Sequence, residues 1–224
     1  MENHFEMGLD ALRQKLLTMA SHAETAVNRA VQALVQRDAD LAQRVKEDDR
    51  VIDHYEVEID EFAIQLLTKA PLATNLRLVT VAMKISQNLE RIGDEATKIA
   101  KRARDLSQEP PIKLNLDLPR IATLALEMLK ASLDAFVNKE SAAARAVIPR
   151  DKEVDALNKH IHNTLVQHME ENPETIGRCL HWMVASKSLE RIADHATNVA
   201  EDVVYLCEAQ DIRHTGVKSQ AAGA

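Results

Sequence analysis

An all-α fold, arranged as a tandem repeat of two antiparallel three-helix bundles with six long helices, is what this sequence predicts. Three observations carry that reading. Only 5 Gly, 6 Pro and 3% aromatic residues accompany 28% charged residues, which suits long helices and leaves little for strands or tight turns. Apolar residues recur at steps of three and four along most of the chain, the period of a buried helical stripe. Finally, the stretch NLERIGDEATKIA at 88–100 returns as SLERIADHATNVA at 188–200, with Leu, Glu, Arg, Ile, Asp, Ala, Thr and Ala at identical places.

The first predicted helix covers 4–37, with Leu9, Leu12, Leu16, Met19, Ala23, Ala26, Ala30 and Ala33 on its apolar stripe. Asp38 is placed to cap a second helix, whose stripe of Leu41, Val45, Ile52, Ile59, Phe62 and Leu66 runs on to Lys69. Pro71 breaks the chain, and a third helix with Leu78, Val81, Ile85, Leu89, Ile92, Ala96 and Ile99 extends to about Leu106. The segment SQEPPIKLNLDLP holds three prolines and no helical period, so it reads as a connection between halves. Helices then follow at about 120–138, 140–170 and 174–209, and the closing TGVKSQAAGA has the small polar composition of a disordered tail. The domain reading is a first bundle at 1–107, a linker at 108–117, a second bundle at 118–210 and a tail at 211–224.

Several function classes drop out. A net charge of −7 without a basic stripe or interleaved aromatics argues against nucleic acid and against an anionic lipid surface. No apolar run approaches a membrane span, and the acidic start MENHFEMGLD is unlike a signal peptide, so a cytoplasmic protein is expected. Cys179 and Cys207 have no close-spaced partners and suit neither a disulfide framework nor a Cys-rich metal site. His160, His162 and His195 lack the Glu-x-x-His spacing of di-iron bundles, and no phosphate loop, nucleophile elbow or zinc-protease motif occurs. The reading expects no enzyme.

The repeated acids raise a different possibility. Asp49 and Asp53 are one helical turn apart, as are Glu90 and Asp94, so each pair shares a helix face. If the chain folds back at Pro71, Asp49 falls opposite Asp94 and Asp53 opposite Glu90. The second half repeats the register about Pro173, which pairs Asp151 with Asp194 and Asp155 with Glu190. Four clustered carboxylates repel one another unless a cation intervenes, and an oxygen-only donor set favours hard ions. Magnesium, manganese, calcium, iron and zinc are not distinguished by the spacing, and one or several ions fit. The small residues Ser86, Gly93, Thr97, Ser186, Ala193 and Thr197 flank the acids, leaving room for an ion shell or for close helix packing. The plainer alternative is a solvated face, with Lys46, Arg50, Arg91, Lys98, Lys152 and Arg191 near enough for surface ion pairs worth less than about 1 kcal/mol each. Asn198 offers an amide oxygen as a further ligand, whereas Lys98 at the matching place in the first half cannot bind a cation.

The twin L-E-R-I-x-D motifs, the preceding D-x-x-x-D pairs and the C-terminal AQDIRHTG resemble the PhoU family of bacterial phosphate-transport regulators, over roughly residues 4–216. The resemblance implies two three-helix bundles, a cytoplasmic homodimer, and metal ions or multinuclear clusters held by Asp49, Asp53, Glu90 and Asp94 and by Asp151, Asp155, Glu190, Asp194 and Asn198. It also implies negative regulation of the phosphate-starvation response and of phosphate uptake. In that role the protein links the ATPase side of a phosphate-specific ABC transporter to a PhoR-type sensor histidine kinase. A carboxylate-bridged metalloenzyme and a purely structural scaffold remain as alternatives.

Overall fold

The computed structural model describes residues 2–68 and 73–213. Its long helices are α1 (Glu2–Gln36), α2 (Ala39–Leu67), α3 (Ala73–Ser107), α4 (Leu118–Asn138), α6 (Asp151–Glu171) and α7 (Ile176–Glu208), with a short α5 (Ser141–Val147) ahead of α6. No strand occurs among the described residues. Pro71, the expected fold-back point, and 214–224 of the expected tail lie outside them.

The local chemistry places most boundaries where the sequence put them. Arg37 takes a left-handed conformation with φ 60° to end α1, and the Asp38 carboxylate accepts the Leu41 amide at 2.8 Å to cap α2. The Arg37 guanidinium then donates to the carbonyls of Leu106, at 2.6 Å, and Glu109, tying this turn to the far end of α3. One boundary needs correction. The single helix expected at 140–170 is divided into α5, a 3-10 turn at Ile148–Arg150, and α6. Pro149 supplies no N–H and crowds the preceding turn, so the α-helical ladder stops there and restarts at Asp151. Pro173 acts likewise: a 3-10 turn at Pro173–Thr175 delays α7 to Ile176.

Helices α1, α2 and α3 form one bundle around Leu12, Leu16, Met19, Ile52, Ile59, Ile85, Leu89, Ile92 and Ile99, all fully buried. Helices α4 to α7 form the second around Phe136, Val154, Leu165, Leu189, Ile192 and Val199. Burying such side chains stabilises by roughly 1.5–3 kcal/mol each, which is why the three-and-four spacing dictates the faces. The connection at 108–117 is not a free linker, since Ile112, Leu114 and Leu116 pack against the core.

The two bundles join through α3 and α7, which run antiparallel. Lys84 pairs with Asp202 at 2.9 Å, Asn88 with His195 at 3.0 Å, Arg191 with Glu95 at 3.5 Å and Arg102 with His181 at 3.1 Å. The two copies of the repeated motif therefore lie against each other across this seam. Glu95, only 4% exposed, sits within it. Burial alone would push its carboxyl up, but the hydrogen bond from Lys98 at 2.8 Å and the nearby Arg191 charge outweigh that and hold it below the usual range.

Candidate metal centre

The same helix carries a second polar face, turned from the seam toward α2. Asp49 and Asp53 project from α2 and Glu90 and Asp94 from α3, and these four groups share one electrostatic environment. Burial and the adjacent charges of Asp53 and Asp94 push the Asp49 carboxyl up to about 6. Glu90 is also raised, by burial, by Asp94 and by Glu56 and Asp53, against the opposing Arg91 charge. Arg91 reaches Glu90 at 3.4 Å and Asp94 at 3.3 Å and offsets part of this crowding.

The second half repeats the arrangement between α6 and α7. Burial, Asp194, Asp155 and Glu190 push Asp151 up to about 6 against the opposing charge of Lys187. Asp194 is raised by burial, by Glu190 and by Asp155. Lys187 pairs with Glu190, which is itself buried. Thus eight of the nine predicted ligand positions fall into two sets of four whose charges act on one another. The ninth, Asn198, lies one turn beyond Asp194 and directs its amide nitrogen at the Asn88 carbonyl oxygen, 3.5 Å away on the seam. Lys98 likewise turns its ammonium to Glu95 rather than to the first quartet.

One feature was missed in the sequence. Glu56 belongs to the first cluster: burial, Asp60, Asp53 and Asp94 all raise its carboxyl, with Arg91 opposing. Asp49, Asp53, Glu56 and Asp60 follow the i, i+4, i+7, i+11 spacing of one helix face, a signal that was present. The close packing that Gly93 was read to allow is seen in the approach of α2 to α3. A Cβ on Gly93 would lie 2.9 Å from Ile52 Cδ1 and 3.0 Å from Asp49 Oδ1, so this glycine lets α2 close on the quartet.

A hard cation suits this donor set on the structure's own terms. Each quartet is a set of carboxylate oxygens held in mutual repulsion, and Asp151 Oδ1 is buried without a hydrogen-bond partner among the described residues. No three His, Cys, Asp or Glu side chains among those residues are drawn together into a finished metal shell. The histidines stay apart from the quartets: His160 and His162 are exposed, and His195 is held on the seam by Asn88.

Comparison with known proteins gives this geometry a lineage. The sequence model of the PhoU domain matches residues 16–103 and again 118–203, so each match contains one quartet. The chain is 40% identical over 220 residues to the phosphate-specific transport system accessory protein PhoU homolog of Pseudomonas putida, covering 97% of this chain and 86% of that protein. It is 34% identical over 213 residues to the phosphate-specific transport system accessory protein PhoU of Escherichia coli, covering 95% and 88%. The crystal structure of PhoU from Pseudomonas aeruginosa superposes with a TM-score of 0.88 at 39% identity, over 92% of this chain and all of that one. That of the phosphate transport system regulatory protein PhoU from Streptococcus pneumoniae gives 0.87 at 25% identity, over 93% and 99%. With the duplicated domain, the full-length identity and the shared helical architecture in agreement, the chain belongs to the PhoU family.

Proposed function

We propose that this chain is a metal-binding adaptor that represses the phosphate-starvation response when phosphate is plentiful, by linking a phosphate-specific ABC transporter to a sensor histidine kinase. Its coarser role, accessory and regulatory to phosphate transport, goes with a family whose members are named for that role rather than as enzymes. No helix among the described residues is long and apolar enough to cross a membrane. In this reading the chain meets the transporter and kinase at their cytoplasmic faces, as a homodimer.

The observation that carries the metal part is the pair of quartets with raised carboxyls at equivalent places on two hairpins. A bound multivalent cation would supply the positive charge that these oxygens lack. Asp49 and Asp53 would hold it from α2 and Glu90 and Asp94 from α3, with Glu56 beside them; Asp151 and Asp155 would act from α6, and Glu190 and Asp194 from α7, with Asn198 one turn away. Each set fastens two helices of a hairpin, so the rigid body presented to partners depends on it.

The test is genetic and analytical together. Deleting the gene should leave phosphate-starvation genes expressed in rich phosphate, and a chain carrying Glu90→Gln with Glu190→Gln should restore repression poorly. Normal repression in the deletion strain would overturn the regulatory reading. Protein purified without chelator that holds no metal, and gains no thermal stability from added manganese, magnesium or iron, would overturn the metal reading.

A further inference from the structure

Next to the first quartet, α2 and α3 diverge into an open groove of about 440 Å³ whose walls are basic. Lys46 faces it from α2, and Lys98, Lys101 and Arg104 from α3, with Gln43 and Thr97 between them. Asp49, a member of the quartet, is the one acid among the lining residues. Lys98 is paired with Glu95, but Lys46, Lys101 and Arg104 have no carboxylate within ion-pair distance among the described residues. The α3 C-terminal dipole gives a reason for a cation in its last turn, where Arg104 stands, yet none for Lys46 on the opposite wall.

The second half shows that the fold does not require this charge. At the matching places it carries Ile148, Asn198, Glu201 and Val204 in place of Lys46, Lys98, Lys101 and Arg104. The first half has thus exchanged the amide of the motif for a lysine and surrounded it with cations, in a chain whose net charge is −7. We propose that this groove binds a small anion bearing several phosphate groups, such as an oligophosphate or a nucleoside triphosphate.

Charge, shape and donor type converge on that class. Three unpaired cations in a concave site focus a positive potential that a single carboxylate would leave largely unneutralised. The volume lies within the range of small-molecule sites, roughly 300–1,000 Å³, and is too confined for a folded partner. Arg104 offers a planar fork and the lysines point charges, the combination that phosphate oxygens accept. The inference is independent of the adaptor role, and since Asp49 belongs to both the groove and the quartet it is tested on metal-free protein.

Binding of inorganic phosphate, tripolyphosphate and ATP to the full chain should be measured by calorimetry in a buffer without divalent ions, so that no metal bridge contributes. The expected result is saturable binding of tripolyphosphate or ATP at one site per chain, tighter than inorganic phosphate. Lys101→Ala and Arg104→Ala should each weaken it by about tenfold or more, and Lys46→Glu should abolish it, while Lys159→Ala on the exposed face of α6 leaves it unchanged. Equal affinities for tripolyphosphate and ATP mean that the phosphate chain alone is read; a preference for ATP assigns a further contact to the base. Circular dichroism checks that each variant keeps its helices. Absence of saturable binding in the unaltered chain, or binding that folded groove variants retain in full, overturns the proposal.

Discussion

The two halves of this molecule are built on one plan and differ in the charges around their acids. In the first, Glu56 and Asp60 extend the quartet along α2; in the second the matching residues are Asn158, whose side-chain oxygen accepts the Ser186 hydroxyl at 2.6 Å, and the exposed His162. In the second, Lys187 offsets the Asp151 environment, where the first half has Gln87. What both halves keep is therefore what the hairpin needs: the apolar stripe, a proline in the sequence between the two helices and four acids in register. What varies sets the charge around each quartet, so the two sites are expected to respond differently to the same perturbation.

The largest effects test what is shared. Ile92 and Ile192 are equivalent and both fully buried, and truncation of either to alanine should cost about 2–5 kcal/mol. Because α3 and α7 pack along their lengths, each variant should melt in a single transition, read by calorimetry. Two separated transitions would mean that the halves are energetically independent despite the seam.

Smaller effects test what differs. In metal-free protein, Asp49→Asn removes a charge that burial, Asp53 and Asp94 all disfavour, while Arg91 is engaged on Glu90 and Asp94; Asp151→Asn does the same where Lys187 acts against the shift directly. Both should stabilise, by on the order of 1 kcal/mol after allowance for solvent screening, and Asp49→Asn by more. Each should also reduce the stabilisation by added manganese. The reverse ranking of the two variants in chemical denaturation would show that Lys187 is not the compensating charge.

Much of this arrangement was legible because helix period and proline position are properties of the sequence itself. The facing of Asp49 with Asp94 and of Asp53 with Glu90 required only a 3.6-residue repeat and a fold-back point. Glu56 lay on the same face but was not duplicated, its counterpart being Asn158, so an argument resting on repetition passed over it. Pro149 was visible and was read through as helix, although a proline without an N–H must interrupt the ladder. The antiparallel seam was hidden for another reason. Glu95 and Ser188 look like solvent-facing residues in any hydropathy pattern, and only the packing of α3 against α7 shows them buried. The basic groove likewise needs two walls, one from each helix, before four scattered cations become one site.

A pH titration comes next in size. Asp49, Glu90, Asp151 and Asp194 all have carboxyls raised above their ordinary values in the folded state. For these groups the folded state binds protons more readily than the unfolded one, so their ionisation destabilises as pH rises through about 6, and protonation relieves the strain. Metal-free protein should therefore gain a few degrees in Tm between pH 7.5 and 5.5, for roughly 1 kcal/mol. Further acidification should reverse the gain, since Glu95 is held below its usual range and loses its contribution when protonated. Metal-loaded protein should show the opposite slope over the upper window, because protons then compete with the cation. A Tm that is flat in both states would remove the electrostatic argument for the quartets.

The smallest net effect is expected at Gly93, and it decides between two roles for one residue. Replacing a helical glycine by alanine gains about 1 kcal/mol of helix propensity. Here the added methyl would meet Ile52 Cδ1 at 2.9 Å and Asp49 Oδ1 at 3.0 Å. The isoleucine end can shift at a cost similar to the gain, so Gly93→Ala should change stability by less than about 1 kcal/mol. Ala193→Gly has no such offset and should lose about 1 kcal/mol or somewhat more. The informative quantity is the response to manganese: a methyl pressed against Asp49 should blunt it in Gly93→Ala, while Ala193→Gly leaves the second quartet's response intact. If instead Gly93→Ala is strongly destabilised and its metal response is preserved, the glycine serves only the approach of α2 to α3, and room for an ion is not what sets it apart from Ala193.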